Sequence, residues 1–287
     1  MHVHGDGVSD VSIRRHLDEA GAALTAAGVN AHDARLLLAG LLDVSLGRLQ
    51  MLEATDARLS TEDITGFHHA VAERATRRPL QHILGQAHFR YVTLALGEGA
   101  LVPRPETETL VDLALERLPE GGRLLDAGTG TGAIAVAVAT ERTDARVTAV
   151  ELSPGAYVWA KRNIDRLAPH VHLIYGDFAE VLPATEPLDV LVSNPPYVPA
   201  ARIPRDPEVY LHDPPFALFS GSDGLSAIRV LSSVGHAAVA PGGSIVLEHD
   251  ETQGEAITEL LLADGWRAPV TLPDLTGRPR FTAAVRP

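Results

Sequence analysis

Cysteine is absent from the sequence, which excludes disulfides and thiolate metal sites and fits a reducing compartment, so a cytoplasmic location is expected. Long hydrophobic runs are lacking as well. The longest, over 36–42 and 133–139, fall far short of the ~20 apolar residues that cross a bilayer, and the opening MHVHGDGVSD has no basic stretch followed by an apolar one. Neither secretion nor a membrane partner is expected. Positive charge is scarce: 24 Lys and Arg stand against 37 Asp and Glu, a net charge of −13. Proteins that grip phosphate backbones are usually basic, at least locally, so nucleic acid is not an expected partner. Internal repeats, low-complexity tracts, a G-x-S-x-G elbow, a Walker loop and an H-E-x-x-H pair are all missing, which removes solenoids, serine hydrolases, NTPases and zinc proteases from consideration.

The chain has 287 residues and is 45% hydrophobic, ample for a large core with a smaller appendage. From about Val11 to Ala75 the apolar residues Leu17, Ala20 and Leu24, then Ala34, Leu37, Leu38 and Leu41, recur at helical spacing. Asn30 and Ser60 stand just ahead of helical stretches, and Asp63 follows Ser60 by three positions in a weak form of the capping box. In the segment RRPLQHILGQAHFRYVTLALGEGALVPRPETE, alternating Phe89, Tyr91, Thr93 and Ala95 suggest strand, and Pro103 and Pro105 exclude a helix there. Beyond Thr107 helix and strand alternate, with helices expected over 110–118, 133–142, 153–167, 224–239 and 252–263 and strands over 123–127, 146–151, 171–175, 188–193, 243–249 and 281–285. Such alternation implies an α/β fold whose largely parallel sheet is covered on both faces. The expected division is a helical domain over 1–83, a linker with a β-hairpin over 84–108, and an α/β domain over 109–287.

In LLDAGTGTGAIAVAVA, Gly128, Gly130 and Gly132 lie directly between an apolar strand and an apolar helix, with Thr129 and Thr131 between them. Glycines there let the backbone turn tightly and approach a ligand. The same residues satisfy the dinucleotide pattern, and Glu151, about 20 residues on, suits the ribose of either NAD or S-adenosylmethionine. Asp126 tips the balance. A carboxylate just before the glycines would repel a pyrophosphate but suits the charged methionine end and sulfonium of S-adenosylmethionine. After the third strand, Asp177 offers an acceptor for the adenine amino group and Phe178 a ring to cover the base.

Asn194-Pro195-Pro196-Tyr197 follows the strand over 188–193, at the strand end where open parallel sheets bind ligands. The prolines stiffen the backbone and remove donors, so the Asn194 side-chain oxygen and the Pro195 carbonyl can both accept from one NH2 group. A planar amide or aromatic amine would then present its nitrogen to the methyl group, with Tyr197 against its flat face. Alignment carries much of such a reaction, and no strong general base is needed.

Together DAGTGTGAIA, NPPY, VPRPETE, DPPFALFSGSDGL, DLTGRPR and the N-terminal DARLLLAGLL resemble the HemK/PrmC family of release factor glutamine methyltransferases over nearly the whole chain. The resemblance implies a class I, Rossmann-like S-adenosylmethionine-dependent methyltransferase domain behind a small helical substrate-recognition domain. It implies methylation of the glutamine of the Gly-Gly-Gln motif in class I peptide chain release factors, with S-adenosylhomocysteine as product. Carried over by position, the loop over 128–132, Glu151, Phe178 and Asn194 hold the cofactor, and Asn194, Pro195, Pro196 and Tyr197 hold the glutamine. Family members more often have Asp at position 151, and some have Trp at position 178. In VPRPETE, Arg104, Glu106 and Glu108 either close over the cofactor or cap the next helix. A related family that acts on a ribosomal protein usually differs in this segment, which favours the release factor.

Three competing functions are weighed. An adenine methyltransferase acting on DNA would use the same acceptors on a flipped base, but the acidic balance opposes it. A nicotinamide-dependent dehydrogenase explains the glycines and leaves NPPY without a role. A cofactor-binding protein that docks without turnover is the non-enzymatic alternative. Thirteen histidines raise a metal site, but His68 and His69 diverge on a helix, and His170 and His172 on one strand face read as a solvated pair. No metal is expected, and a monomer is.

Overall fold

The computed structural model describes residues 8–204 and 206–287. Residues 1–7, most of the N-terminal stretch that lacks a basic and apolar secretion pattern, lie outside the described residues. Among those described, no helix is long and apolar enough to cross a membrane.

Two compact units emerge, one comprising Met1–Gly85 with Arg205–His212 and the other Gln86–Pro204 with Asp213–Pro287. In chain order the first begins with β1 (Val8–Ser12), α1 (Ile13–Ala26), α2 (Asp33–Leu41), α3 (Leu46–Ala54), β2 (Arg58–Ser60), α4 (Thr61–Ala75) and α5 (Leu80–Leu84). The helical periodicity is what buries Ile13, Leu17, Ala20, Leu24, Leu37, Leu38 and Phe67 in one core. Ser60 caps α4: its Oγ accepts from the Asp63 amide at 3.0 Å and donates to Asp63 Oδ2 at 2.6 Å. The antiparallel β1–β2 pair is not foreshadowed by the helical pattern; at three residues β2 is too short to show an alternation.

The second unit opens with β3 (Gln86–Phe89) and β4 (Val92–Ala95), followed by α6 (Thr107–Leu115), β5 (Arg123–Ala127), α7 (Ala133–Glu141), β6 (Arg146–Glu151), α8 (Pro154–Leu167), β7 (His172–Tyr175), α9 (Phe178–Val181) and β8 (Leu188–Ser193). After α10 (Pro207–His212), which belongs to the first unit, come α11 (Pro215–Leu218), α12 (Ser226–Ala238), β9 (Val239–Glu248), α13 (Gly254–Ala263), β10 (Arg267–Pro273) and β11 (Pro279–Val285). The alternating stretch around Tyr91 is thus two antiparallel strands, with Arg90 at φ +50° in the turn between them.

Seven strands form one sheet in the order β10-β11-β9-β8-β5-β6-β7. All neighbours are parallel except β11, which runs antiparallel to β9 and β10. Alternation along the central strands sends side chains to opposite cores. Leu124, Val190, Val192 and Val246 pack on one face with the apolar stretch 133–139 of α7, while Leu125, Leu191, Ile245 and Leu247 pack on the other with α12 and Trp266. From β5 the chain steps outward to β6 and β7, then returns to β8 on the other flank of β5. That reversal opens a crevice beyond the carboxyl ends of β5 and β8. Ser193 ties the two ends together, its hydroxyl donating to the Ala127 carbonyl at 2.6 Å.

Candidate active site

A cavity of about 380 Å³ occupies this crevice, lined by Gly128, Gly130, Glu151, Leu152, Phe178, Asn194, Pro196 and Phe216 among others. Its size and largely apolar lining with a few polar groups suit a nucleoside-sized ligand. The floor is the glycine loop, where Gly128, Gly130 and Gly132 all adopt positive φ (+73°, +61° and +84°). A Cβ at Gly128 or Gly130 would meet no heavy atom within 4 Å, so both positions face open cradle. Gly132 instead lies against α8, where an added Cβ would come within 3.5 Å of Ala160 Cα.

Asp126 holds this loop from below. Its Oδ2 accepts from the Thr129 hydroxyl at 2.5 Å and from the Ala135 amide at 3.1 Å, while Oδ1 is buried without a hydrogen-bond partner. Burial pushes the carboxyl up to about 7, opposed by those two donors and reinforced by nearby Glu151. Asp126 is absent from the cavity wall; its described bonds shape the turn that presents Gly128 and Gly130. Thr129 and Thr131 are buried likewise, and the Thr131 carbonyl is held by Asn163 Nδ2 at 2.9 Å.

Glu151, at the end of β6, does line the cavity. The Gly130 amide donates to its Oε2 at 2.7 Å and the Ser153 amide to its Oε1 at 2.8 Å. Burial raises its pKa, and those backbone donors resist the rise. Each carboxylate oxygen keeps a further lone pair, enough to receive a vicinal diol. Glu151→Ala is expected to weaken S-adenosylhomocysteine binding by about tenfold or more, since hydrogen bonds to a charged acceptor are worth ~1.5–3 kcal/mol. Calorimetric titration checks this, and an unaltered affinity would remove Glu151 from that role. Beyond β7, Phe178 reaches the cavity, whereas Asp177 caps α9, with Oδ1 accepting from the Ala179 amide at 2.8 Å.

The four residues after β8 are clamped from several sides. Asn194 and Pro196 line the cavity, Pro195 is buried and Tyr197 is partly buried. Asn194 Nδ2 donates to Thr107 Oγ1 at 3.1 Å, and the Thr107 hydroxyl donates to Glu248 Oε2 at 2.8 Å. Burial pushes Glu248 up to about 7 against the pull of Thr107 and Arg280. Burial also lifts the Tyr197 phenol above its ordinary range, with Glu248 adding to the shift. The Tyr197 carbonyl accepts from Gln253 Nε2 at 3.0 Å, and Val198 pairs with the Leu218–Ser220 backbone at 2.8 and 2.9 Å.

The VPRPETE charges lie off the cavity wall. Arg104 pairs with Asp213, Glu108 Oε1 accepts from the Arg90 amide at 3.0 Å in the β3–β4 turn, and Glu106 is exposed. The residue of that segment that reaches the site is Thr107. Thr107 and Phe216 fall inside the VPRPETE and DPPFALFSGSDGL segments without being singled out there, and nothing local in the sequence distinguishes Glu248 or Gln253; the fold brings them to Asn194 and Tyr197. Strand β7 starts at His172, so His170 is outside it. Among the described residues no three His, Asp or Glu side chains assemble as metal ligands.

A seven-stranded sheet of this order, with a glycine loop after β5 and NPPY after β8, defines a methyltransferase. Residues 107–205 match the methyltransferase small domain and residues 16–85 the PrmC N-terminal domain. The fold resembles the T. thermophilus 16S rRNA N2 G1207 methyltransferase, solved with AdoMet and guanosine (TM-score 0.51, 20% identity, covering 70% of this chain and 50% of that one). Over nearly its full length the chain is 42% identical to the release factor glutamine methyltransferase of Mycolicibacterium smegmatis, covering 96% of this chain and 98% of the relative. It is 41% identical to that of Corynebacterium glutamicum, covering 93% and 96%. The chain belongs to the release factor glutamine methyltransferase family, the PrmC/HemK group.

Proposed function

We propose that this chain transfers a methyl group from S-adenosylmethionine to the side-chain nitrogen N5 of the glutamine in the Gly-Gly-Gln motif of class I peptide chain release factors. The observation that carries the proposal is that one cavity is lined by Gly128, Gly130, Glu151 and Phe178 together with Asn194 and Pro196. In this assignment the loop backbone cradles the methionine end, with Asp126, Thr129, Thr131 and Gly132 fixing its shape, Glu151 receives the ribose hydroxyls, and Phe178 covers the adenine beside Asp177. S-adenosylmethionine supplies a methyl group already activated on a sulfonium. The chain's task is therefore alignment. The Asn194 side-chain oxygen and the Pro195 carbonyl accept the two amide hydrogens of the glutamine, Pro196 stiffens the turn, and the neutral Tyr197 packs on the flat amide. Residues 1–83 are assigned to recognition of the release factor, 84–108 to the link and 109–287 to transfer, acting as a monomer in the cytoplasm.

The test is methyl transfer from labelled S-adenosylmethionine to a purified class I release factor, with a Gln→Ala variant of its Gly-Gly-Gln motif and a DNA duplex alongside. Label on the intact factor alone is expected. Label on the duplex, or on none of the three, overturns the substrate assignment.

A further inference from the structure

A primary amide looks much the same from either end, and rotating it by half a turn exchanges an acceptor for a donor pair. The proposed function needs the acceptor end of Asn194 in the cavity. Thr107, its neighbour on α6, does not settle the matter alone, because a hydroxyl both donates and accepts. An ionised carboxylate only accepts. With Glu248 Oε2 2.8 Å from Thr107 Oγ1, the single hydroxyl proton of Thr107 is committed to Glu248, so its oxygen has only lone pairs to offer Asn194. The amide responds by turning Nδ2 to Thr107 at 3.1 Å, which leaves Oδ1 for the cavity side.

Resting on the proposed function, we infer that Thr107 and Glu248 are positioning residues that set the polarity of the Asn194 amide, directing its oxygen rather than its NH2 group at the substrate. The three residues come from separate elements: β8 and β9 run parallel with Ser193 opposite Leu247, which sets Asn194 beside Glu248, and α6 supplies Thr107 across 141 residues of chain. The Thr107 and Glu248 side chains are both buried, so water does not offer an alternative set of partners. Glu248 is faced by Glu106 ahead of α6, Tyr197 after β8 and Arg280 on β11; Arg280 favours its ionised form and Glu106 opposes it. Protonation lets the carboxyl donate as well as accept, so the Thr107 proton is no longer committed to Glu248 and the amide loses the fixed reason to keep its orientation. Because burial pushes Glu248 up to about 7, the rate of transfer falls as pH drops through that region.

Thr107→Val keeps the shape and deletes the relay, Thr107→Ser restores it, and Glu248→Gln removes the titrating carboxyl while leaving an amide oxygen that can still accept from Thr107. In release factor methylation by the full chain, Thr107→Val is expected to lower kcat about tenfold to a hundredfold, the scale of a misaligned reacting group. KM for the factor and affinity for S-adenosylhomocysteine stay unchanged. Thr107→Ser recovers most of the rate, and Glu248→Gln, which has no carboxyl to titrate, lacks the acid limb. A wild-type kcat for Thr107→Val, or a Thr107→Ser variant as slow as Thr107→Val, overturns the inference. An independent readout is the Asn194 side-chain NH2 resonance in nitrogen-15-labelled protein. One of its protons should be protected from exchange in the wild type and lose that protection in Thr107→Val, whereas identical spectra overturn the relay. Failure of the wild type to label the release factor would sink the substrate assignment, and the resonance would still judge the relay.

Discussion

Replacing Asn194 by alanine is expected to lower kcat for methyl transfer by about a hundredfold to a thousandfold, the usual range for deleting one preorganised polar contact to the reacting group, while S-adenosylhomocysteine affinity falls far less. Two effects combine in that figure. One acceptor for the substrate amide disappears, leaving the Pro195 carbonyl to orient the nitrogen alone. Thr107 also loses the group that donates to it at 3.1 Å, inside a buried pocket where an unfilled hydrogen-bonding position costs about 1–3 kcal/mol. Cofactor affinity is spared because the loop, Glu151 and Phe178 are untouched by the change. Single-turnover rates with saturating release factor, alongside calorimetric titration of S-adenosylhomocysteine, separate the two quantities. Equal losses in both would make Asn194 chiefly a cofactor residue, and an unchanged rate would remove it from the reaction.

Gly224→Ala is expected to injure the same site from behind. Gly224 holds φ +81°, and an added Cβ would stand 2.2 Å from the Tyr197 carbonyl oxygen and 2.7 Å from Gln253 Nε2. Neither atom yields cheaply, since Gln253 Nε2 is bonded to that carbonyl at 3.0 Å and to the Asp223 carbonyl at 3.3 Å. Left-handed backbone in a residue other than glycine and forced overpacking each cost about 1–3 kcal/mol, so a loss of ~2–4 kcal/mol in urea unfolding is expected. Displacement of Tyr197 should lower turnover about a hundredfold, as misplacements near 1 Å do. Should Gly224→Ala unfold at the wild-type urea midpoint with the wild-type rate, Gly224 would not constrain the segment after β8.

How much of the fold and site is legible in the sequence depends on how local each cause is. Strands β5, β6 and β8 match the expected 123–127, 146–151 and 188–193 because each is an apolar run buried on both faces and bounded by turn residues. Strand β10 gives no such signal: it is a sheet edge, prolines interrupt it at 269 and 273, and much of its length is exposed. Tyr91 reads as part of a continuous strand because side-chain alternation carries across the short turn at Arg90 and Tyr91, even though the chain reverses there. The site divides in the same way. Glycines and the Asn-Pro-Pro-Tyr run are contiguous and legible, whereas the cavity-facing role expected of Asp126 rested on charge alone; its Oδ2 instead receives Thr129 and Ala135. Thr107 and Glu248 meet only because α6 begins beside the end of β9, and no spacing rule spans that separation.

Asn163 on α8 bears on where the chain can be divided. Its Oδ1 accepts from the Ala95 amide at 2.7 Å, and its Nδ2 donates to the Ala95 carbonyl at 2.8 Å and to the Thr131 carbonyl at 2.9 Å. One wholly buried side chain thereby fastens strand β4 to the glycine loop. A gene fragment begun at residue 109 would leave two of those three hydrogen bonds without their Ala95 partner, while one begun at residue 86 keeps them matched. For anyone exchanging N-terminal units between relatives, the hairpin travels with the sheet, and the division falls just ahead of it, between Gly85 and Gln86.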